Sequence, residues 1–372
     1  MATGGYAADF TESSLLKKYR PDIYDLPTTN GDYSTGDGIK MGLAVGCNAV
    51  DLEKVQVHPT GLVDPKVPDA KVKFLAAEAL RGVGGLLLDR EGIRFCDELG
   101  HRDYVTGEMW KRNKGPYRLI LNGAGGKEIE WHCKHYMGRG LMKRFESGEA
   151  LAKEIGISPQ VLAETFNKYN EVAKANKDPF GKKYFHNLPF KMNDEFFVSI
   201  VTPVLHFCMG GLEINPECEV LHNNDHHTIP GLFAAGEVAG GVHGANRLGG
   251  SSLLGCVVFG RVAGATAARY LFSHLINKSG QGVAGAGGDF KVTVVPARDK
   301  FTLEFTWDNK QGSGAVVSGP SALPVEQNPQ TAQQSPSAAP LLTATRNTAW
   351  KRLPSTTRMT TVGSSSTVKC WM

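Results

Sequence analysis

The stretch from Gly236 to Ser252, GEVAGGVHGANRLGGSS, constrains the fold of this chain more than any other. Glycine loses more backbone freedom on folding than any other residue. A run this rich in it implies a backbone that bends sharply or comes close to a ligand. The glycines surround one glutamate, one histidine and one arginine: Glu237, His243 and Arg247. A turn and a short apolar strand, Ile229-Pro230-Gly231-Leu232-Phe233-Ala234-Ala235, lead into the run, and a helical pattern over residues 252–271 leaves it. Strand, glycine exit and helix in that order bring backbone amides up to a ligand. A loop that only tolerates a tight strand-to-helix turn would read the same way.

The rest of the chain fits around this feature as an α/β fold with an inserted α+β piece. Residues 36–47 pattern as a short helix, where Gly36 and Asp37 either face an anion or a ribityl hydroxyl or serve as plain helix capping. Leu52 to Pro59 alternates like a strand that Pro59 should end. Residues 76–81 read as helix, Leu86-Leu87-Leu88 as strand, and residues 103–113 and 159–176 as amphipathic helices, the second opened by Ser158-Pro159. Phe196 to Val201 and Gly211 to Ile214 read as strands. Beyond Gly280 the texture changes: a Gly/Ala-rich link, a pair of alternating segments within 290–305, then a Ser/Thr/Ala/Pro/Gln-rich stretch over 309–372 expected to be disordered.

Composition excludes some functions. With 372 residues, 41% of them hydrophobic, the chain can bury a large core and form two or three domains. A net charge of +4 without any Lys/Arg block argues against nucleic acid. The seven cysteines are odd in number, scattered and never C-x-x-C, as expected of reduced thiols in an intracellular protein. Trp131-His132-Cys133-Lys134-His135 has a spacing a metal could use, but a polar helix face is the better reading, so no metal is expected. The start, MATGGYAADF, has no secretory signal pattern. The most apolar run, residues 253–271, carries Arg261 and Arg269 and is expected to be a packed helix of a soluble protein rather than a membrane span.

Five clusters place polar groups where glycine or proline fixes the backbone. They are His58-Pro59-Thr60, Glu78-Ala79-Leu80-Arg81-Gly82, His101-Arg102-Asp103, His206-Phe207-Cys208-Met209-Gly210-Gly211, and the opening run with Glu237 and Arg247. Each has an ordinary structural account alone; Glu78 and Arg81, for example, have the i, i+3 spacing of a surface ion pair. Taken together they make a strongly anion-seeking set that suits a small dicarboxylate. There is no Ser/His/Asp order and no P-loop. Arginine stays protonated in water, so an arginine acid would need a relay to recharge it.

The segments HPTG, EALRG, REGIRFCDELGHRD, HFCMGGLEI and PGLFAAGEVAGGVHGANRLGGSSLL together resemble the FAD-dependent fumarate reductase and succinate dehydrogenase flavoproteins, the soluble fumarate reductases most closely, over about residues 1–275. The resemblance implies a partial α/β FAD-binding domain of the glutathione-reductase-like class with an inserted α+β capping domain. Residues 1–52 and 207–275 would be FAD-binding domain, 53–206 the capping domain, and 276–372 a linker and a mostly disordered tail. It implies FAD as cofactor and fumarate or succinate as substrate. By the same resemblance Arg102 protonates the substrate, Arg81 and Glu78 recharge it, and His58, His206 and Arg247 bind the carboxylates. Thr3, Gly4, Gly5, Gly36, Asp37, Glu237, Ser251, Ser252 and Leu253 would contact the cofactor. The electron donor stays open, NADH through a separate module being one route.

The sequence departs from that family in places. The family's opening strand with G-x-G-x-x-G is missing in its strand-turn-helix setting, so an N-terminal truncation is expected. Ala77 stands where relatives have a threonine. The alternatives are an inactive fragment of this family, or a related flavin reductase acting on another unsaturated acid.

Overall fold

The computed structural model describes residues 1–278, 290–296 and 301–307. The elements run α1 (Leu15–Tyr19), α2 (Asp37–Ala44), β1 (Ala49–Val50), β2 (Val55–Leu62), β3 (Phe74–Leu75), α3 (Ala79–Gly82), β4 (Leu86–Leu88), α4 (Arg102–Arg112) and β5 (Tyr117–Asn122). Then come α5 (Gly123–Glu128), α6 (Glu130–Gly138), β6 (Lys143–Phe145), α7 (Gly148–Ile155), α8 (Pro159–Ala175), β7 (Phe196–Cys208), β8 (Gly211–Leu212), β9 (Glu219–Leu221), β10 (Thr228–Phe233), α9 (Ser251–Lys278), β11 (Phe290–Pro296) and β12 (Phe301–Trp307). The last two pair as the hairpin expected from their alternation. The Gly/Ala-rich link, Cys370 and the stretch 309–372 lie outside the described residues.

β7 organises the sheet. Its 13 residues are rich in Val, Phe, Ile and Leu, which suit a strand buried on both faces. The strand order is β3-β2-β7-β5-β4, with β6 also paired to β7, and every ladder is antiparallel. Alternation along β5 separates two cores. Tyr117, Leu119 and Leu121 join the cluster of Leu80, Val105 and Met109, under α3 and α4. Ile120 joins Leu86, Leu151, Leu162 and Phe166, under α7 and α8. A third core gathers Tyr6, Leu16, Ile39, Val57, Leu205, Leu212 and Val238 from both flanks of the sheet-bearing segment.

Pro59 does not end its strand. β2 continues to Leu62 because the register slips by one residue between His58 and Gly61, which face Val204 and Thr202. Proline lacks the N–H a ladder needs, and the bulge accommodates it.

The helix over residues 253–271 forms as α9, but it is not packed as expected. Leu253, Leu254, Val257, Val258 and Leu271 are exposed, and its contact with β10 runs through Tyr270 against Phe233. Apolar composition tells that a helix has a face to bury, not what covers it. By length and composition alone Ser251–His274 could cross a membrane, with a mean hydropathy of 1.4 and none of that window buried. The six cysteines among the described residues are free, five of them buried.

Candidate active site

Arg102 is the first residue of α4, placed there by the turn at Gly100-His101. Its side chain is buried and holds three acceptors at once. Nη2 donates to Glu78 Oε2 at 2.6 Å, while Nη1 donates to Gln56 Oε1 and to the Arg247 carbonyl, both at 2.8 Å. Glu78 stands just before α3 and bridges to Arg81, whose Nη2 donates to Glu78 Oε1 at 3.1 Å. Arg81 is 2% exposed and anchors its other arm on the Glu98 carbonyl at 2.6 Å. The i, i+3 pair that sequence spacing offered as a surface contact is therefore half of an Arg–Glu–Arg bridge whose arginines are buried and whose glutamate reaches solvent. Burial raises the Glu78 pKa, but Arg102 first and then Arg81 outweigh it, leaving the carboxyl below its usual range. For Arg81 burial dominates and lowers the pKa, helped by the neighbouring Arg102 charge.

The two histidines meet across strands. β2 pairs with β7, and the His58 and His206 rings lie edge to face at 5.4 Å. The bulge at Pro59 leaves the Thr60 N–H free to donate to His58 Nδ1 at 3.3 Å. An N–H aimed at Nδ1 makes that nitrogen the acceptor, so neutral His58 carries its proton on Nε2. His206 Nδ1 is 2.8 Å from Thr29 Oγ1. Burial first, and then the surrounding arginines, push both histidines down, His206 to about 4 and His58 well below its ordinary value. Both are neutral at physiological pH.

Arg247 comes from the glycine-rich run and is 7% exposed. Its guanidinium lies 4.6 Å over the Phe207 ring. The Nε atoms of Arg81, Arg102 and Arg247 are all buried without a hydrogen-bond partner. Buried polar groups are nearly always paired, so these three N–H groups are donors that an anion could satisfy.

The candidate cofactor residues also come together. Gly36 N–H donates to the Gly5 carbonyl at 3.1 Å, which sets the α2 N-terminus beside the Thr3-Gly4-Gly5 turn. A Cβ on Gly38 would lie 2.0 Å from Thr3 Oγ1, and one on Gly5 would lie 2.4 Å from Glu237 Oε1. These are the close approaches that the glycines permit. Glu237 Oε1 accepts from the Cys208 N–H at 2.8 Å, and burial pushes its carboxyl up to about 7. Glu237 and Ser252 line one crevice. Gly250, at φ +80°, turns the chain into α9; the Ser251 N–H donates to the Leu248 carbonyl at 3.3 Å, while the first-turn amides of Ser252, which lines that crevice, and Leu253 have no intrahelical partner. Gly249 backs onto the relay: a Cβ there would be 3.1 Å from Glu78 Oε2. Asp37 is exposed and accepts from Thr35 Oγ1 at 2.9 Å. Glycine cradles, an elevated carboxyl and open helix amides fit the flavin end of FAD, which needs close backbone approach and donors at its polar edge.

The FAD binding domain family model matches residues 1–253. The chain belongs to that family. It is 53% identical over 280 residues to the fumarate reductase of Schizosaccharomyces pombe, an alignment covering 75% of this chain and 54% of that protein. It is 40% identical over 257 residues to fumarate reductase 1 of Saccharomyces cerevisiae, covering 67% and 54%. Among solved structures, the open conformation of a flavocytochrome c3 fumarate reductase superposes with a TM-score of 0.57 at 33% identity, over 72% of this chain and 45% of that one. The chain thus spans about half the length of the curated relatives it matches.

Sequence reasoning missed several residues that hold the arginines in place. Gln56 holds Arg102 and also donates to the Arg247 carbonyl at 2.8 Å. Asn246 reaches across to Asp103 at 3.1 Å. Glu98 is buried at 0% exposure between Arg94, at 2.7 Å, and Lys182, at 3.0 Å. Its signal was legible: Arg94, Glu98 and Arg102 recur at four-residue spacing inside REGIRFCDELGHRD.

Proposed function

We propose that this chain carries the flavin-dependent site at which fumarate is reduced to succinate. The observation that carries the reading is the bridge Arg81–Glu78–Arg102, its two arginines buried, set among two neutral histidines and Arg247. Three guanidiniums stand against the Glu78 carboxylate and a Glu237 carboxyl that burial raises to about 7 within the field of Arg247, which leaves positive charge in excess. An excess of positive charge suits a small dicarboxylate, whereas a neutral steroid-like substrate would leave the buried guanidiniums without a counter-charge. His58, through its Nε2 proton, together with His206 and Arg247, would clamp the carboxylates and polarise the alkene.

FAD, when bound and reduced, would supply a hydride for one alkene carbon. Thr3, Gly4, Gly5, Gly36, Asp37, Glu237 and the α9 amides of Ser251, Ser252 and Leu253 would hold it. Arg102 gives a proton from its guanidinium to the other carbon, so one hydride and one proton convert the double bond to a single bond. Arg102 is then recharged through Glu78, one oxygen of which faces Arg102 and the other Arg81. The lowered pKa of Arg81 makes it a readier proton source than a solvated arginine. The Glu78 side chain is 47% exposed, which gives the relay its outlet to water. Residues 53–206 act in this reading as the capping domain over the flavin-binding segments 1–52 and 207–275. The electron donor is proposed as NADH acting through a separate module, and the protein as a soluble intracellular one.

Arg102→Ala tests the assignment in chain loaded with FAD. Flavin should stay bound while fumarate reduction falls by about two to four orders of magnitude. Retained turnover would remove Arg102 from the mechanism.

A further inference from the structure

Arg118 lies on β5 between Leu88 and Ile200 of the neighbouring strands. It shares a strand face with Ile120, the face covered by α7 and α8, and so lies across the sheet from α3 and α4 and their relay. The residue is 9% exposed, and its Nη1 is buried without a hydrogen-bond partner. Glu154 is the carboxylate whose field reaches it, but that carboxylate is held by Lys143 Nζ at 2.6 Å. Among the described residues no carboxylate forms an ion pair with Arg118. A buried cation is costly unless something of opposite charge meets it.

What meets it can be read from the space in front. Arg118, Lys143 and Glu154 line a pocket of about 110 Å³ whose other walls include Leu141, Val198 and Ile200. That volume is below the roughly 150 Å³ of an apolar cavity that accepts benzene, so the occupant must be small. The walls are largely aliphatic, with one unpaired guanidinium. Phosphate would leave those walls uncovered. The second charge of a dicarboxylate would fall on aliphatic carbon or beside Lys143 and Glu154, which already neutralise each other at 2.6 Å.

We propose that this pocket is a second, separate ligand site, which binds a small aliphatic monocarboxylate with its carboxylate on Arg118 and its alkyl chain against Leu141, Val198 and Ile200. Charge-assisted pairing to a planar guanidinium supplies the orientation, and burial of the alkyl chain supplies the size limit.

Butyrate is the probe, titrated into the full chain while the methyl resonances of Leu141, Val198 and Ile200 are followed. Saturable shifts at these methyls are expected, with n-butanol giving none. Arg118→Met should weaken butyrate at least about tenfold, the loss expected for a charged hydrogen bond. Ile200→Phe, which keeps the charge and fills the space, should weaken it as well. No saturable shift in the unsubstituted chain would overturn the proposal whether or not the variants fold. Unchanged affinity in Arg118→Met, or equal shifts with butanol, would also overturn it.

Discussion

Burial first, and then the charges of Arg247 and Arg102, hold the His206 pKa at about 4, against about 6.5 in an unfolded chain. Because the folded value is the lower one, the unfolded chain takes up this proton first as pH falls. The stability linked to His206 is complete above about pH 6.5 and is lost as pH drops toward 4, at about 1.4 kcal/mol per unit. Denaturation midpoints measured over pH 4–7 should therefore fall with acid, and His206→Asn should flatten part of that fall; an unaltered slope would contradict the burial argument. The residue types at this site were legible in sequence, since each lay within four residues of a glycine or proline. Their convergence was not. Nothing in the spacing of His58 and His206 reveals that β2 and β7 are neighbours, or that a bulge at Pro59 frees the Thr60 amide.

Elements place these groups through backbone contacts that tolerate little change. A Cβ on Gly210 would lie 2.2 Å from the Asp51 carbonyl oxygen, where the segment joining β7 to β8 crosses the one joining β1 to β2. Gly210→Ala should cost about 1–3 kcal/mol or more, because backbone rather than a flexible side chain must move; a thermal melt within error of the unsubstituted chain would refute this. The loop from Arg94 to His101 is pinned by a buried cluster in which Glu98 meets Arg94 and Lys182, and Asp178 meets Arg94. Glu98→Gln leaves buried cations short of a partner and should destabilise by about 3–5 kcal/mol. The same loop carries the carbonyl that anchors Arg81, so turnover should fall further than flavin content in this variant. Equal loss of both would mean that the cluster only holds the fold. Helices with clear caps, such as Ser158-Pro159 before α8, were readable from sequence because the cap is local. The full length of β7 was less so, since 13 residues buried on both faces lack the alternation that marks a half-exposed strand.

At the scale of the molecule, residues 1–253 match the FAD binding domain and the chain covers 54% of its Schizosaccharomyces pombe relative. The glycine run Gly236–Ser252 has a structural use: it sets Glu237 under Gly5, turns the chain into α9 at Gly250, and lays Gly249 against Glu78 and Arg102. The Gly5 turn and the Arg–Glu–Arg bridge thus meet one loop. The exposure of α9 could not be read from its apolar composition, because composition does not state what covers a helix. The central claim, that this chain reduces fumarate on a bound flavin, is tested most directly with chain purified in excess FAD, stripped of free cofactor and reduced without oxygen. Flavin near one per chain, reoxidised on adding fumarate but not on adding a monocarboxylate such as crotonate, is the predicted result. Bound flavin that fumarate leaves reduced, or a chain that retains no flavin, would contradict it.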